Sequence, residues 1–168
     1  ARYLTTQARD DHTEGIHNTI GYNYRLTNIQ AAMGCAQMEM LPSYVETKRN
    51  IAKVYHEAFL HIPGVVPMPE ASWAFSTFWL YTILIDEYRF GIDSRGLTQA
   101  LRERNIETRA LWQPLHLSPA FSGAQRRACP VAEHLSSQAI SLPSSVGLGQ
   151  DQQHVIDSVI HIANPTTP

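Results

Sequence analysis

The sequence predicts an α/β chain whose later part is a small α+β domain. Three observations carry that expectation: helical periodicity through the first third, the strand-like run "FWLYTILID" near the middle, and alternating helix and strand signals after it. With 43% of its 168 residues hydrophobic and 17% charged, the chain has enough apolar material for a packed core and does not read as disordered.

The elements follow in order. Thr27 and Gln30 have the form of a capping box, and Ile29, Ala32, Met33, Ala36 and Met40 recur at helical spacing, so a helix is expected from about Asn28 to Leu41. Pro42 can open a second helix or kink one long one, and the stripe Ile51, Ala52, Tyr55, Ala58 and Phe59 continues beyond it. Gly34 and the alanines give a slim helix face. With Met33, Met38 and Met40 it suits contact with another helix or subunit. The prolines of "HIPGVVPMP" exclude a helix there. The aromatic and β-branched residues of "FWLYTILID" predict a strand over residues 78–86. A helix capped by Asp93 or Ser94 should follow, then a strand at "IETRALW", residues 106–112. A loop is expected from Ser118 to Arg127, a helix over about Cys129 to Ser137 and a strand at "AISLP". A last amphipathic helix should place Val155, Val159 and Ile162 on one side.

Composition excludes several function classes. A formal net charge of −2 gives no steering towards nucleic acid or an anionic membrane. No apolar run is long enough to span a bilayer, no signal peptide opens the chain, and two cysteines make neither a disulfide framework nor a zinc site. A cytoplasmic location is the expectation. The pairs His12/His17 and His56/His61 are five residues apart, which does not stack them on one helical face, so they read as surface histidines and no metal ligand is assigned. There is no phosphate-binding glycine loop. "VGLGQDQ" reads as a turn into a helix, and the serines of "LPSS" lack the setting of a nucleophile.

Two stretches invite a functional reading. "GYNYR", residues 21–25, puts two rings, an amide and a guanidinium before a helix. The bland reading packs the rings on the core with Arg25 in water. The functional one aims Asn23 and Arg25, both donors, at a phosphate. "PLHLSPAF" sets His116 after a strand, in a segment that Pro114 and Pro119 hold extended, near Arg109 and Trp112. It is either a histidine bonded to backbone at a strand end or part of a cleft for a polar or anionic ligand.

At those residues the chain resembles a family. "HNTIGYNYRLTNIQAAMGCAQMEMLP", "IETRALWQPLHLSPAF" and "AISLPSSVGL", in that order, are similar to the DegT/DnrJ-type nucleotide-sugar aminotransferases, from about Leu4 to Ile162. The resemblance implies the carboxy-terminal portion of the fold-type I (aspartate aminotransferase-like) pyridoxal 5'-phosphate enzyme fold. Residues 1–60 would be the end of the large domain with long interface helices, and residues 61–168 the small domain. It also implies a homodimer that moves an amino group from a donor such as glutamate to a keto-sugar nucleotide, the nearest look being to enzymes acting on a UDP-linked 4-keto-6-deoxy-N-acetylhexosamine. Asn23 would reach the cofactor phosphate of the other subunit, with Arg25 lining the same cleft and Arg109, Trp112 and His116 near the sugar nucleotide. Ala110 stands where the family often has proline, and "WQPLHL" replaces a more frequent lysine-bearing form. The family's cofactor-bearing lysine would lie upstream of Ala1, so no catalytic residue is assigned here. The only lysines, Lys48 and Lys53, are expected on the polar face of a helix with no cause for a depressed pKa. Two alternatives accompany this reading: a sugar dehydratase of the same family, and a non-enzymatic α/β interaction module.

Overall fold

Thr27 and Gln30 close the capping box: the Gln30 backbone N–H donates to Thr27 Oγ1 (3.3 Å) and the Thr27 N–H to Gln30 Oε1 (3.0 Å). This comes from a computed structural model that describes residues 1–11 and 13–164. His12, half of one histidine pair, lies outside the described residues. A short helix α1 (Arg2–Thr5) precedes the box, and behind it runs a single helix α2 (Asn28–Phe59) with Pro42 inside it. Of the two possibilities at Pro42, continuity holds. An interior proline costs about 3 kcal/mol, and the apolar stripe Ile51, Ala52, Tyr55 and Phe59, buried at the far end, offsets it.

The chain gathers into two units, Ala1–Pro42 and Ser43–Pro168. In the first, Ala8 is the buried hydrophobic residue, and Ile29, Met33, Met38 and Met40 all stand exposed on α2. The second holds a sheet of β1 (Val65–Pro67), β2 (Tyr81–Ile85), β3 (Arg109–Ala110) and β4 (Ala139–Leu142), in the spatial order β1-β2-β4-β3 with antiparallel pairings. β2 alternates, burying Tyr81, Ile83 and Ile85, whereas all four residues of the central β4 are buried. Helices α3 (Glu87–Phe90), α4 (Ser94–Arg102), α5 (Pro130–Gln138) and α6 (Asp151–Ala163) complete the unit. Leu97 and Leu101 of α4 join Val155, Ile156 and Val159 of α6 in the core, with Ile162 partly buried beside them. Asp93, not Ser94, caps α4, accepting from the Gly96 N–H at 2.7 Å.

Several expectations change. The strand read over residues 106–112 shrinks to Arg109–Ala110, because β3 pairs only with the four-residue β4, opposite Ser141 and Ile140. β2 starts at Tyr81 rather than Phe78, whose φ of +45° is incompatible with a strand. The segment between Pro114 and Ser122 is not extended but folds into two single 3₁₀ turns, Leu115–Leu117 and Pro119–Phe121.

Lys48 is the largest correction. It is half-buried, not on an exposed polar face. Its Nζ donates to the Trp79 carbonyl (2.6 Å), the Ser144 carbonyl and Ser144 Oγ (3.2 Å). Burial pushes this ammonium below its ordinary value. Beside it, Arg49 forks onto Glu70 (2.7 and 3.1 Å), donates to the Ser76 carbonyl and stacks 4.3 Å over Phe75. Arg49 and the Ser76 N–H hold the Glu70 carboxyl below the usual range. Lys53 stays exposed, 3.9 Å from Glu57.

Substitutions at Gly64 and Lys48 test this packing. Gly64 has φ +80°, and a Cβ there would lie 2.4 Å from the Phe90 nitrogen. Gly64→Ala should therefore lower unfolding stability by at least about 1–3 kcal/mol. Gly147→Ala, with nothing within 4 Å, should change it little in the same denaturant titration. Lys48→Met strips two carbonyls of their donor and should cost about 1–3 kcal/mol. The pH sign also follows, since the unfolded chain keeps the Lys48 proton to higher pH than the folded one. Wild-type stability should therefore gain from this group as pH climbs through the lowered value towards about 10.4. The Lys48→Met variant should lack that gain, and an identical pH slope in both proteins would refute the assignment.

Candidate functional site

In the first unit the backbone of "GYNYR" is sewn to the start of the chain. Tyr22 N–H donates to the Leu4 carbonyl (2.7 Å), Gln7 N–H to the Tyr22 carbonyl (3.0 Å) and Tyr24 N–H to the Thr5 carbonyl (3.0 Å), and Asn23 bridges Thr6. Gly21 is required here. A Cβ would sit 2.3 Å from the Ala8 nitrogen, in a turn where Gln7 and Ala8 already have positive φ. Tyr22 and Tyr24 stack on each other at 5.2 Å, both more than half exposed, so the reading that packed them on a core is corrected. Asn23 stands at the lip of an open cavity of about 470 Å³, with Gln7, His17, Asn18 and Thr19. Among the described residues, neither the Asn23 amide nor the Arg25 guanidinium has a hydrogen-bond partner. His17 uses Nδ1 on the Gln7 carbonyl (2.7 Å), and Asp10 accepts from the Asn18 N–H (2.8 Å) and the Tyr3 hydroxyl (2.7 Å). Those two donors, Asn18 first, hold the Asp10 carboxyl below its ordinary range. A free amide donor beside a polar cavity can take a phosphate oxygen.

The second unit divides the other candidates between two cavities. Arg109, exposed on the edge strand β3, lines one of about 470 Å³ with Lys48, Trp79, Glu107, Ser144 and Ser145. Trp112 stacks on Trp79, rings 6.0 Å apart and 25° from parallel. His116 lines a separate cavity of about 260 Å³ with Leu115, Phe121 and Arg126. Its Nε2 lies 2.8 Å from Glu133 Oε1 on α5, so the partner is a carboxylate rather than the backbone of the bland reading. Trp79 and Glu133 were not among the expected site residues. They lie 33 and 17 positions from Trp112 and His116, too far for any local pattern to link them. Among the described residues no group of three or more metal-ligating side chains converges, and no helix is long and apolar enough to cross a membrane.

Comparison with known proteins identifies the relatives. Residues 1–160 match the DegT/DnrJ/EryC1/StrS aminotransferase family. EpsN of Bacillus subtilis strain 168, assigned as a pyridoxal phosphate-dependent aminotransferase, is 40% identical over 96% of this chain. The GDP-perosamine synthase of Vibrio cholerae is 35% identical over 81% of it. The chain spans 42% and 37% of the length of these two relatives. Among solved structures, DesV of S. venezuelae matches 97% of the chain with a TM-score of 0.81 and 28% identity, over 43% of its own length. Helicobacter pylori PseC, an aminotransferase involved in the biosynthesis of pseudoaminic acid, shares the fold with a TM-score of 0.84 at 23% identity, covering 98% of this chain and 45% of its own. The mixed helix and sheet architecture agrees with the carboxy-terminal portion of that pyridoxal-phosphate enzyme fold. On the match over residues 1–160, the chain belongs to the DegT/DnrJ/EryC1/StrS aminotransferase family.

Proposed function

We propose that the protein carrying this chain is a cytoplasmic, homodimeric aminotransferase that moves an amino group from a donor such as glutamate to a keto-sugar nucleotide. A UDP-linked 4-keto-6-deoxy-N-acetylhexosamine is the first substrate to test. The observation that carries the reading is the family match over nearly the whole chain, joined to a relative whose name specifies a GDP-linked amino sugar product. The two exposed cysteines, neither paired, suit a reducing compartment. The exposed Ile29, Met33 and Met40, which share one face of α2, support subunit contact.

The residues of the first unit fit pyridoxal 5'-phosphate. Among the described residues, the Asn23 amide has no partner and the lining of the polar cavity beside it includes no carboxylate to repel a phosphate. Asn23 would hold the phosphate of the neighbouring subunit's cofactor and Arg25 would add positive charge at the cleft. When bound, the cofactor supplies the electron sink that amino transfer needs. Arg109 and Trp112 would bind the nucleotide-linked substrate. His116, oriented by Glu133, would present its other ring nitrogen to the substrate's polar groups. Neither lysine of this chain has an amine free for the reaction: Lys48 is held by three acceptors and Lys53 is paired at the surface.

Full-length enzyme incubated with cofactor, glutamate and UDP-, GDP- or TDP-linked 4-keto sugars should yield an amino sugar nucleotide by mass spectrometry. A product that has lost water without gaining nitrogen would identify a dehydratase instead. Asn23→Asp keeps the shape but faces the phosphate with a carboxylate. At about 4 Å and an effective dielectric of about 20 that repulsion is on the order of 4 kcal/mol, so cofactor affinity should fall steeply. Mixing this variant with one lacking the family's cofactor-bearing lysine, and letting subunits exchange, should restore activity if Asn23 serves the neighbouring site. No recovery would reject the assignment across the dimer.

A further inference from the structure

Tyr81 is 1% exposed and stacks on Tyr55, yet its hydroxyl has no hydrogen-bond partner among the described residues. A buried hydroxyl without a partner is costly, and such groups are normally satisfied by water or a ligand. Tyr55 avoids that cost by donating to the Pro143 carbonyl at 2.8 Å. Burial holds the ionisation of the Tyr81 hydroxyl above the normal tyrosine range, so it keeps its proton and can donate.

Tyr81 stands in the wall of an open groove of about 500 Å³ between α2 and the segment that joins β1 to β2. That volume lies within the range of small-molecule sites. Ala52, Met68 and Phe78 extend the apolar wall around the Tyr81 ring. The groove is formed beforehand. Arg49 of α2 forks onto Glu70 and donates to the Ser76 carbonyl, and Ser76 Oγ accepts from the Phe78 N–H (3.1 Å), which fixes Phe78 at its strained φ of +45°.

Charge narrows the class of ligand. In the lining Arg49 and Lys53 oppose Glu57 and Glu70, so a polyanion would meet two carboxylates and a simple cation two bases. Arg49 and Glu70 neutralise each other through two hydrogen bonds. Lys53 and Glu57, one turn apart on α2, do not: they are 3.9 Å apart, beyond hydrogen-bond reach, and both are well exposed. So loose a surface pair contributes little, and a ligand carrying both charges can exchange into it. An α-amino acid carries a carboxylate and an ammonium on one carbon, the complement of that pair. Asn50 and His56, whose side chains have no hydrogen-bond partner among the described residues, add polar groups at the exposed rim. The Tyr81 hydroxyl in the wall asks in turn for an acceptor at the far end of the ligand's side chain.

We infer that the groove between α2 and the segment joining β1 to β2 binds a small zwitterionic α-amino acid with an amide or carboxylate at its side-chain end. Its carboxylate would meet Lys53, its ammonium Glu57 and its side-chain end the Tyr81 hydroxyl. The site is separate from the residues assigned to the cofactor and the sugar nucleotide, and the inference does not depend on the reaction proposed for them.

The test is calorimetric titration of full-length, cofactor-loaded enzyme with L-glutamine. Saturable binding is expected. L-norleucine, which lacks the polar end, and glutaramic acid, which lacks the α-amino group, should bind more weakly. Tyr81→Phe should weaken glutamine by roughly two- to tenfold without lowering the unfolding midpoint, since it removes a hydroxyl that bonds to nothing in the fold. Lys53→Gln and Glu57→Gln, at exposed positions, should weaken glutamine comparably. Turnover with saturating glutamate should be unchanged in all three variants, which separates the groove from the reacting site. Unchanged glutamine affinity in Tyr81→Phe and Glu57→Gln would place the amino acid elsewhere and overturn the inference. Norleucine binding as tightly as glutamine would overturn it in favour of a merely apolar pocket. An enzyme that binds no glutamine, as when the upstream part of the chain covers the groove, would overturn it too. None of these outcomes touches the proposed function, which is read from the amino sugar product.

Discussion

Burial of the last turns of α2 is the constraint on which the second unit depends. Ile51, Tyr55 and Phe59, four residues apart, form one helical row, and Tyr55 and Phe59 are fully buried. Tyr55 stacks between Phe59 (5.5 Å) and Tyr81 of β2 (5.1 Å), and its hydroxyl donates to the Pro143 carbonyl at the end of β4. Each such ring is worth about 1.5–3 kcal/mol of burial, and the hydroxyl's bond removes the penalty of burying its polar end. One helix row thus locates both central strands. Burial also lifts the Tyr55 hydroxyl well above the normal tyrosine range, so it stays a donor at any physiological pH.

The turn before that row carries the polar connections. Lys48 and Arg49 lie just ahead of Ile51, so packing of the apolar row presents both cations to the loops around the sheet. Lys48 reaches the Trp79 and Ser144 carbonyls, and Arg49 organises the segment from Glu70 to Phe78 through a carboxylate, a carbonyl and two aromatic rings. Arginine suits the second role because its planar fork meets both carboxylate oxygens and its face stacks on a ring. A lysine suits the first because three donors from one point can meet three acceptors. The tryptophan pair and Arg109 are held where that scaffold ends.

The first unit is held by contacts of a different kind. It has little core, so backbone hydrogen bonds between residues 4–7 and 22–24 set its geometry, with Gly21 pressed against Gln7 and Ala8. That arrangement leaves side chains free. Asn23 is locked through its main-chain bridge to Thr6 and, among the described residues, keeps its amide unused, which is how a rigid loop offers a ligand group. His116 shows the reverse arrangement, a ring oriented by a carboxylate 17 residues away and set in a short 3₁₀ turn.

The sequence by itself determined the elements whose signals are local. The capping box at Thr27 and Gln30, the start of α4 at the Asp93–Ser94 pair, the apolar row of α6 and the core of β2 are legible because each depends on residues within a turn or a strand of one another. The motifs around Asn23 and "PLHLSPAF" likewise identified the family, whose side-chain chemistry is legible in order along the chain. Only the tertiary structure decided what depends on distant partners. β3 is two residues long because only Arg109 and Ala110 find partners on β4, Lys48 is an inward clamp because Trp79 and Ser144 come to it across 31 and 96 positions, and Trp112 is half of a pair with Trp79. The physical reason is the same in each case: hydrogen bonds and ring stacking act over a few ångströms in space, and separation along the chain carries no record of them until the chain has folded.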